Sequence, residues 1–297
     1  MRPRCVGANK GVVREYPLRS SPPGPELGSL LEEVYGVYHR PEYIHPDPLE
    51  FPRMFDDPLD REIAALVSSS LAYGNVRAIR SSLSAVFCRM GSSPRRFVEF
   101  SSRGGLEGAF SGFRHRFTGD AELVDFLWAL GRVVEGFGSL KACFLEGFNP
   151  ADPDVFSALG AFTSKIAAFM RAGKNSLLPC PGSPSACKRL NLFLRWMVRH
   201  DEIDPGGWPE VPKSSLVVPL DVHMHAIGLR LGLIRRRSAD RKAALEMTDA
   251  LRNIDPNDPV RFDFSLTRIG MRRLLGRLTD APCGTGRHDE DIPVGGF

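Results

Sequence analysis

The stretch Lys188-Arg-Leu-Asn-Leu-Phe-Leu-Arg-Trp-Met-Val-Arg199 decides the fold. At about 100° per residue, its basic side chains Lys188, Arg195 and Arg199 project from one side of a helix. The other side is apolar and is formed by Leu190, Phe193, Leu194, Met197 and Val198. The sequence therefore predicts an amphipathic helix over about 185–200 whose apolar side belongs to a hydrophobic core.

The same helical spacing covers most of the chain on either side of this stretch. Ser93-Pro94 has the form of an N-cap followed by proline, and Asp60 and Asp258 are interpreted as caps of further helices. The one strand-like run, 216–220, contains a proline and is predicted to be an extended connector. We predict an all-α fold of about ten helices, the clearest of which cover about 61–73, 76–90, 93–100, 120–135, 152–171, 185–200, 222–231, 239–253 and 258–270.

The composition is that of a globular protein with a sizeable core, since 42% of the 297 residues are hydrophobic and 25% are charged. We expect one large domain over 26–279 between disordered tails at 1–25 and 280–297, because neither tail has helical periodicity. No apolar run approaches the ~20 residues of a membrane span, and we expect no secretory signal. The six cysteines are scattered without zinc-site spacing, which favours a reducing, cytoplasmic location. Nothing in the sequence requires more than a monomer.

The charge distribution is compatible with a phosphate-rich partner. The net charge is only +4, but arginine is concentrated in the C-terminal third of the chain. A solvated basic surface on helices is the alternative interpretation. The segment 103–119, predicted to join two lobes, contains Arg114-His115-Arg116, which either contacts phosphates or forms an exposed turn.

Two helix starts carry the residues that could do chemistry. Lys188 begins the decisive helix after the loop Pro181-Gly182-Ser183-Pro184, and Asp221 begins the next helix. An amine and a carboxylate at neighbouring helix starts could serve as a nucleophile and its electrostatic partner. The alternatives are a phosphate-binding or solvated lysine and an aspartate that only caps its helix.

These residues resemble a known superfamily. Pro181-Gly182, Lys188, Asn191, Leu194 and Pro219-Leu-Asp221-Val-His223 are similar to the helix-hairpin-helix base-excision DNA glycosylases, with the motif over about 172–232. Within that superfamily the run 188–199 and the run 258–270 look closest to a DUF2400-like family, which is similar to archaeal 8-oxoguanine DNA glycosylase/lyases. The resemblance implies a two-lobed fold with a cleft between the lobes, in which Lys188 is the nucleophile and Asp221 stabilises charge on the sugar.

The hairpin departs from the pattern of the superfamily. It reads Cys180-Pro-Gly-Ser-Pro-Ser-Ala-Cys-Lys188, about two residues longer than usual, and Pro184 lacks an N–H that could bind a phosphate. The amides near Gly182, Ser183 and Ser185 could still do so. A monovalent or divalent ion could occupy the hairpin, as a structural element. An iron–sulfur cluster is excluded because only Cys283 lies near the C-terminus.

Several further residues are assigned by position. Trp196, Asp263 and Ser69 could line a pocket for an extruded base, although Trp196 fits a core position equally well and Asp263 could pair with an arginine instead. His223 and His225 are two residues apart and so point about 200° from each other on a helix, which makes them a poor metal chelate. Contacts to DNA are predicted for Gly182, Ser183, Ser185, Arg189, Arg195, Arg199 and His223.

The sequence and the resemblance together predict a base-excision enzyme. The expected function is a DNA N-glycosylase with abasic-site lyase activity, acting on double-stranded DNA with a damaged base or an abasic site. The base implied by the resemblance is an oxidised purine such as 8-oxoguanine. No cofactor is required by this chemistry. A non-enzymatic DNA-binding protein that retains the scaffold is the alternative.

Overall fold

A computed structural model describes residues 25–171 and 175–271. This part of the chain is almost entirely helical, and its only sheet is a two-stranded hairpin, β1 (Arg114–His115) and β2 (Thr118–Gly119). The α-helices are α1 (Pro25–Tyr38), α2 (Pro58–Ser70), α3 (Val76–Met90), α4 (Pro94–Phe100), α5 (Arg103–Phe110), α6 (Asp120–Phe137), α7 (Leu140–Leu145), α8 (Phe156–Ala167), α9 (Lys188–Val198), α10 (Val222–Arg230), α11 (Arg241–Arg252) and α12 (Asp263–Met271).

The all-α prediction is confirmed, with corrections at several helix boundaries. α8 ends at Ala167 and not at about 171, and α9 begins at Lys188 and not at about 185, so the two helices are joined by the twenty residues 168–187. Residues 259–262 form turns, so α12 begins at Asp263 and not at the proline that follows Asp258. The predicted tails, 1–25 and 280–297, lie outside the described residues except for Pro25.

Helix α2 is the centre of the hydrophobic core. Asp57 caps it by accepting the amide of Leu59 at 2.7 Å, with Pro58 in the first helical position. The prediction that Asp60 is the cap is therefore wrong. Asp60 instead accepts the Ser93 hydroxyl at 2.7 Å and the Arg95 amide at 2.8 Å, which fastens the start of α4 to α2.

The packing of the helices positions the two helix starts of interest. α2 packs against α9, α4 and α7, and every residue from Ile63 to Leu66 on α2 is fully buried. α12 packs against both α1 and α10, which joins the two ends of the described chain. The buried hydrophobic residues of all these helices form one cluster. Burial of this size holds α9 and α10 in fixed positions and leaves their N-terminal ends at the surface.

None of the described helices is both long enough and apolar enough to cross a membrane.

Candidate active site

Lys188 and Asp221, the two residues predicted to act together, do meet. The Lys188 ammonium nitrogen lies 3.1 Å from Asp221 Oδ2, and the two side chains are 34% and 29% exposed. Both groups therefore remain accessible to a ligand while each is partly shielded from water. Lys188 is the first residue of α9, and Asp221 is the residue before α10.

The two carboxylate oxygens of Asp221 have different tasks. Oδ1 accepts the amides of His223 at 3.0 Å and Met224 at 2.8 Å, which caps α10 as the sequence predicted. Oδ2 faces Lys188. Burial alone would raise the pKa of the Asp221 carboxyl, but the Lys188 charge, the Met224 amide and His223 hold that pKa below its usual range. The capping interpretation and the functional one are thus compatible.

Arg189, the next residue on α9, contacts the end of α2. Its Nη1 donates to the carbonyl oxygen of Ser70 at 2.6 Å, and its guanidinium carbon lies 5.2 Å from the centre of the Tyr73 ring. Burial lowers the pKa of Arg189. Among the described residues it forms no ion pair with a carboxylate, so its charge is available to an anion near Lys188.

The loop before α9 uses part of its own hydrogen-bonding capacity. The Ser183 amide donates to the Cys180 carbonyl at 3.1 Å, and the Ser185 hydroxyl accepts the Cys187 amide at 3.2 Å. The predicted role of the Ser183 amide as a phosphate donor is therefore wrong. The Ser185 amide donates to the Ser183 hydroxyl at 3.4 Å, so its predicted role as a phosphate donor is wrong as well. Gly182 and Ser185 are exposed, so other contacts of these two residues with DNA stay predictions. Cys187 adopts a left-handed conformation, with φ 49°, where the loop turns into the helix.

The predicted phosphate contacts of Arg195 and Arg199 are wrong, because both side chains are buried. Arg195 donates to Asp204 and to Asp263, and Arg199 donates to Asp204 and to Asp258. Only about 4% of the Arg195 side chain and 3% of the Arg199 side chain is exposed. Buried guanidinium groups need such partners, since an unpaired charge in the interior is costly. Asp258, predicted to cap a helix, belongs to this network instead.

The predicted base pocket is also corrected. Trp196 is fully buried in the core, so its ring cannot stack on a base. Ser69 is fully buried as well, and its hydroxyl donates to the Leu66 carbonyl at 3.1 Å. Asp263 is buried and its Oδ2 lies 2.5 Å from Arg195 Nη1, which is the ion pair that the sequence left open as the alternative. The helical pattern places these three positions on α2, α9 and α12 but could not tell an interior face from a cleft.

The histidines of α10 point apart, as their spacing predicted. His223 is exposed, whereas His225 is buried and its Nε2 lies 2.8 Å from the carbonyl oxygen of Arg236. Within residues 25–171 and 175–271, no three His, Cys, Asp or Glu side chains are grouped to hold a metal ion. Cys283 lies outside the described residues.

Sequence reasoning missed an aromatic pair beside this site. Phe117 lies in the turn between β1 and β2, is 68% exposed and stacks on Tyr73, the residue that Arg189 contacts. The signal was present in the sequence as an aromatic residue directly after Arg114-His115-Arg116. It was not recognised because two-residue strands leave no periodic pattern.

The comparisons place the chain in a family. A family model described as "Protein of unknown function (DUF2400)" matches residues 47–272, and the chain belongs to this family. The match confirms the DUF2400-like part of the resemblance and covers α2 to α12. Comparison with the curated proteins finds no match, and comparison with the solved structures finds none.

Proposed function

We propose that this protein is a DNA N-glycosylase with abasic-site lyase activity, in which Lys188 is the nucleophile. The observation that carries the proposal is the 3.1 Å contact between Lys188 Nζ and Asp221 Oδ2 at two accessible helix starts. The resemblance to helix-hairpin-helix glycosylases supports the same assignment. It also implies that the base is an oxidised purine such as 8-oxoguanine.

Asp221 supplies a place for the proton that Lys188 must lose before it can attack. In the free protein the ammonium–carboxylate pair is favoured because water still reaches both groups. DNA that covers the site removes this water, and desolvation then favours the neutral amine and the neutral carboxylic acid. The proton moves from Nζ to Oδ2, which leaves an uncharged amine facing the substrate.

The bond changes then follow in order. The Nζ lone pair forms a bond with C1′ of the deoxyribose while the bond from C1′ to the base breaks. The base departs with that electron pair and takes the proton held by Asp221. The C1′–O4′ bond then breaks with its electron pair going to O4′, and O4′ takes a second Nζ proton, which opens the sugar ring and leaves a protonated C1′ imine. The Asp221 carboxylate, which has given its proton to the base, removes a proton from C2′. A C2′–C3′ double bond forms, the 3′ phosphate leaves with the electrons of its C–O bond, and the strand is nicked.

DNA is a suitable partner for the surface around Lys188. Arg189 is the next residue and forms no ion pair among the described residues, and Gly182 and Ser185 are exposed in the preceding loop. Duplex DNA with an unpaired or damaged base lowers the cost of extruding a nucleotide toward these groups. The cysteines that the structure describes are free thiols, which fits a reducing cytoplasm as the place of action.

Borohydride trapping tests the proposal directly. Wild-type protein incubated with abasic-site duplex DNA and borohydride is expected to give a covalent adduct, because borohydride reduces the imine to a stable amine. Lys188→Ala should abolish the adduct. Lys141→Ala is the matched control, since Lys141 forms a surface ion pair with Glu210 at 2.9 Å that resembles the Lys188 pair and lies elsewhere.

The same experiment separates the enzyme from a DNA-binding scaffold without chemistry. Salt-sensitive binding of the duplex with no adduct from wild-type protein would reject the lyase mechanism and favour the scaffold. An adduct that persists in Lys188→Ala would assign the chemistry to a different amine. If the adduct depends on Lys188, a panel of duplexes with single damaged bases identifies the base that is released.

A further inference from the structure

We use the name Phe117 surface for the side chains of Phe117, Tyr73, Arg114 and Arg116. Its aromatic and cationic side chains are of the kinds that bind unpaired DNA. We infer that Phe117 stacks on an unpaired base of single-stranded or locally opened DNA, while Arg114 and Arg116 bind the phosphates on either side. The inference rests on the proposed function only in taking DNA as the ligand. It adds a second site, connected to Lys188 through the neighbouring residue Arg189, that holds the strand without taking part in the chemistry.

Phe117 and Tyr73 stack on each other, and one face of the Phe117 ring remains open to solvent. The centres of Phe117 and Tyr73 lie 5.0 Å apart with 23° between the ring planes, so the rings are stacked. The Tyr73 and His115 rings also lie in an edge-to-face arrangement, with 4.6 Å between their centres. Because Phe117 is 68% exposed, the face that does not lie on Tyr73 is open to solvent. A base stacked there would extend an existing aromatic stack by one ring.

Buried hydrogen bonds hold the Phe117 surface rigid. The Tyr73 hydroxyl donates to the carbonyl of His115 at 3.0 Å, so it accepts the proton of the Thr118 hydroxyl, 2.5 Å away. Ser176 in turn lies 2.5 Å from Thr118 Oγ1. Thr118 is fully buried, and the chain of hydroxyls ties the β1–β2 turn to two distant parts of the chain. A surface that is already ordered loses little entropy when it binds.

His115 fixes the turn without adding charge to it. Its Nε2 faces the Tyr73 carbonyl at 3.0 Å and must donate, so its Nδ1 accepts the Ser82 hydroxyl at 2.9 Å. Burial, together with the charges of Arg116 and Arg189, lowers the pKa of His115. The imidazole is therefore neutral at pH 7, and the positive charge of this surface belongs to the arginines alone.

Arg114 and Arg116 are placed to receive phosphates. Both are exposed, and neither forms an ion pair with a carboxylate within the part of the chain that the structure describes. Arg116 has φ 55°, and its side chain lies so close to Gly74 that a Cβ there would be 2.6 Å from Arg116 Cδ. Gly74, with φ +98°, thus makes room for the arginine stem. Guanidinium groups without a protein partner bind phosphate oxygens readily.

The combination of these groups favours DNA over a protein partner. Exposed aromatic faces beside cationic side chains that are not paired with carboxylates are typical of surfaces that bind unpaired strands. The Arg189 guanidinium carbon lies 5.2 Å from the centre of the Tyr73 ring, and Arg189 follows Lys188 directly, so Arg189 connects the Phe117 surface to the helix start that carries the proposed nucleophile.

Fluorescence of 2-aminopurine tests the stacking. A duplex with 2-aminopurine as a single unpaired base should bind wild-type protein more tightly than the fully paired duplex, and its emission should be quenched by stacking. Phe117→Ala should weaken binding of the unpaired-base duplex by about 5- to 100-fold and abolish the quenching. Phe117→Trp should preserve both. Phe100→Ala is the matched control, because Phe100 is 73% exposed on α4.

The arginines give a second, independent readout. The logarithm of the DNA association constant falls linearly with the logarithm of the salt concentration. Arg114→Gln or Arg116→Gln should each make the slope of this line less negative by about 0.7 to 0.9. The inference is overturned if Phe117→Ala retains the preference and the quenching, or if wild-type protein binds neither DNA. A Lys188-dependent borohydride adduct in Phe117→Ala with unchanged binding would reject the stacking site and keep the proposed function. Quenching that depends on Phe117, with no borohydride adduct from wild-type protein, would keep the stacking site and reject the proposed lyase function.

Discussion

Arg195 on α9 and Asp263 at the start of α12 form a buried ion pair, with 2.5 Å between Arg195 Nη1 and Asp263 Oδ2. The same guanidinium donates to Asp204 Oδ1 through Nε at 3.1 Å and through Nη2 at 2.9 Å. A single side chain thus links α9 to the loop that follows it and to a helix 68 residues further along the chain. The ion pairs of Arg195 therefore fix the C-terminal end of α9, the helix that begins with Lys188.

Removal of Arg195 is expected to destabilise the protein strongly. Arg195→Met would leave the Asp204 and Asp263 carboxylates without this partner in the interior, and breaking a buried pair from one side costs about 3–5 kcal/mol. Lys141→Ala, which removes a surface pair with Glu210, should cost less than about 1 kcal/mol. Urea unfolding followed by circular dichroism measures both. Equal stabilities of the two variants would contradict the assignment of Arg195 to the interior.

Glu62 makes the stability depend on pH. Its carboxylate is buried and accepts the amides of Leu140 at 2.7 Å and Lys141 at 3.0 Å, yet burial raises its pKa to about 7 from an ordinary 4.5. Between pH 4.5 and 7 the folded protein therefore binds the proton more strongly than the unfolded chain does. This contribution to stability is complete below pH 4.5 and is lost as the pH rises through 7.

The variant Glu62→Gln should remove this dependence. The free energy of unfolding of wild type, relative to Glu62→Gln, is expected to fall by up to about 3 kcal/mol between pH 4.5 and 8. Other titrating groups, including His115, are common to both proteins and cancel in the difference. Parallel profiles for the two proteins over this range would show that the Glu62 carboxylate is not perturbed.

Two glycines of α6 offer a matched test of its packing. A Cβ at Gly131 would lie 2.1 Å from the backbone carbonyl oxygen of Val98 on α4, whereas nothing lies within 4 Å of a Cβ at Gly136. Gly131→Ala should therefore destabilise the protein by about 1–3 kcal/mol through forced separation of the helices. Gly136→Ala should stabilise it by about 0.5–1 kcal/mol through helix propensity. Thermal unfolding reports both, and changes of the same sign would contradict the close contact of α4 and α6.

The sequence predicted the helices well because their cause is local. The apolar spacing of α9 and the caps at Ser93 and Asp221 depend on residues a few positions apart. The sequence also paired Lys188 with Asp221, from their places at two helix starts and from the resemblance, and the 3.1 Å contact agrees with that pairing. The contact is long-range, and a single sequence contains no local signal for it.

The wrong predictions of phosphate contacts for Arg195 and Arg199 have a common physical origin. Arg195 and Arg199 lie on the polar side of α9, and from spacing alone a polar side is expected to face solvent. Their partners, Asp204, Asp258 and Asp263, come from loops and a helix that only the tertiary fold brings near. A buried charge network and an exposed basic surface therefore look the same in sequence.

Asp221 provides the prediction that separates capping from chemistry. Its Oδ1 caps α10 and its Oδ2 contacts Lys188, so Asp221→Ala loses both interactions and Asp221→Asn keeps an N-cap oxygen. We expect Asp221→Ala to cost about 0.5–2 kcal/mol of stability at pH 7, and Asp221→Asn to cost less, as measured by urea unfolding.

The pH dependence of the same pair has a definite sign. Because the pKa of Asp221 is lowered from 3.8 in the folded state, its ionised form contributes stability above pH 3.8. That contribution is lost as the pH falls through the lower, folded-state value, so the advantage of wild type over Asp221→Asn should shrink below pH 3.8. In single-turnover assays at pH 7, Asp221→Asn should bind damaged duplex normally and release base at least tenfold more slowly. Base release by Asp221→Asn at the wild-type rate would leave Asp221 as a cap alone, since its carboxylate would then have no part in moving the proton of Lys188.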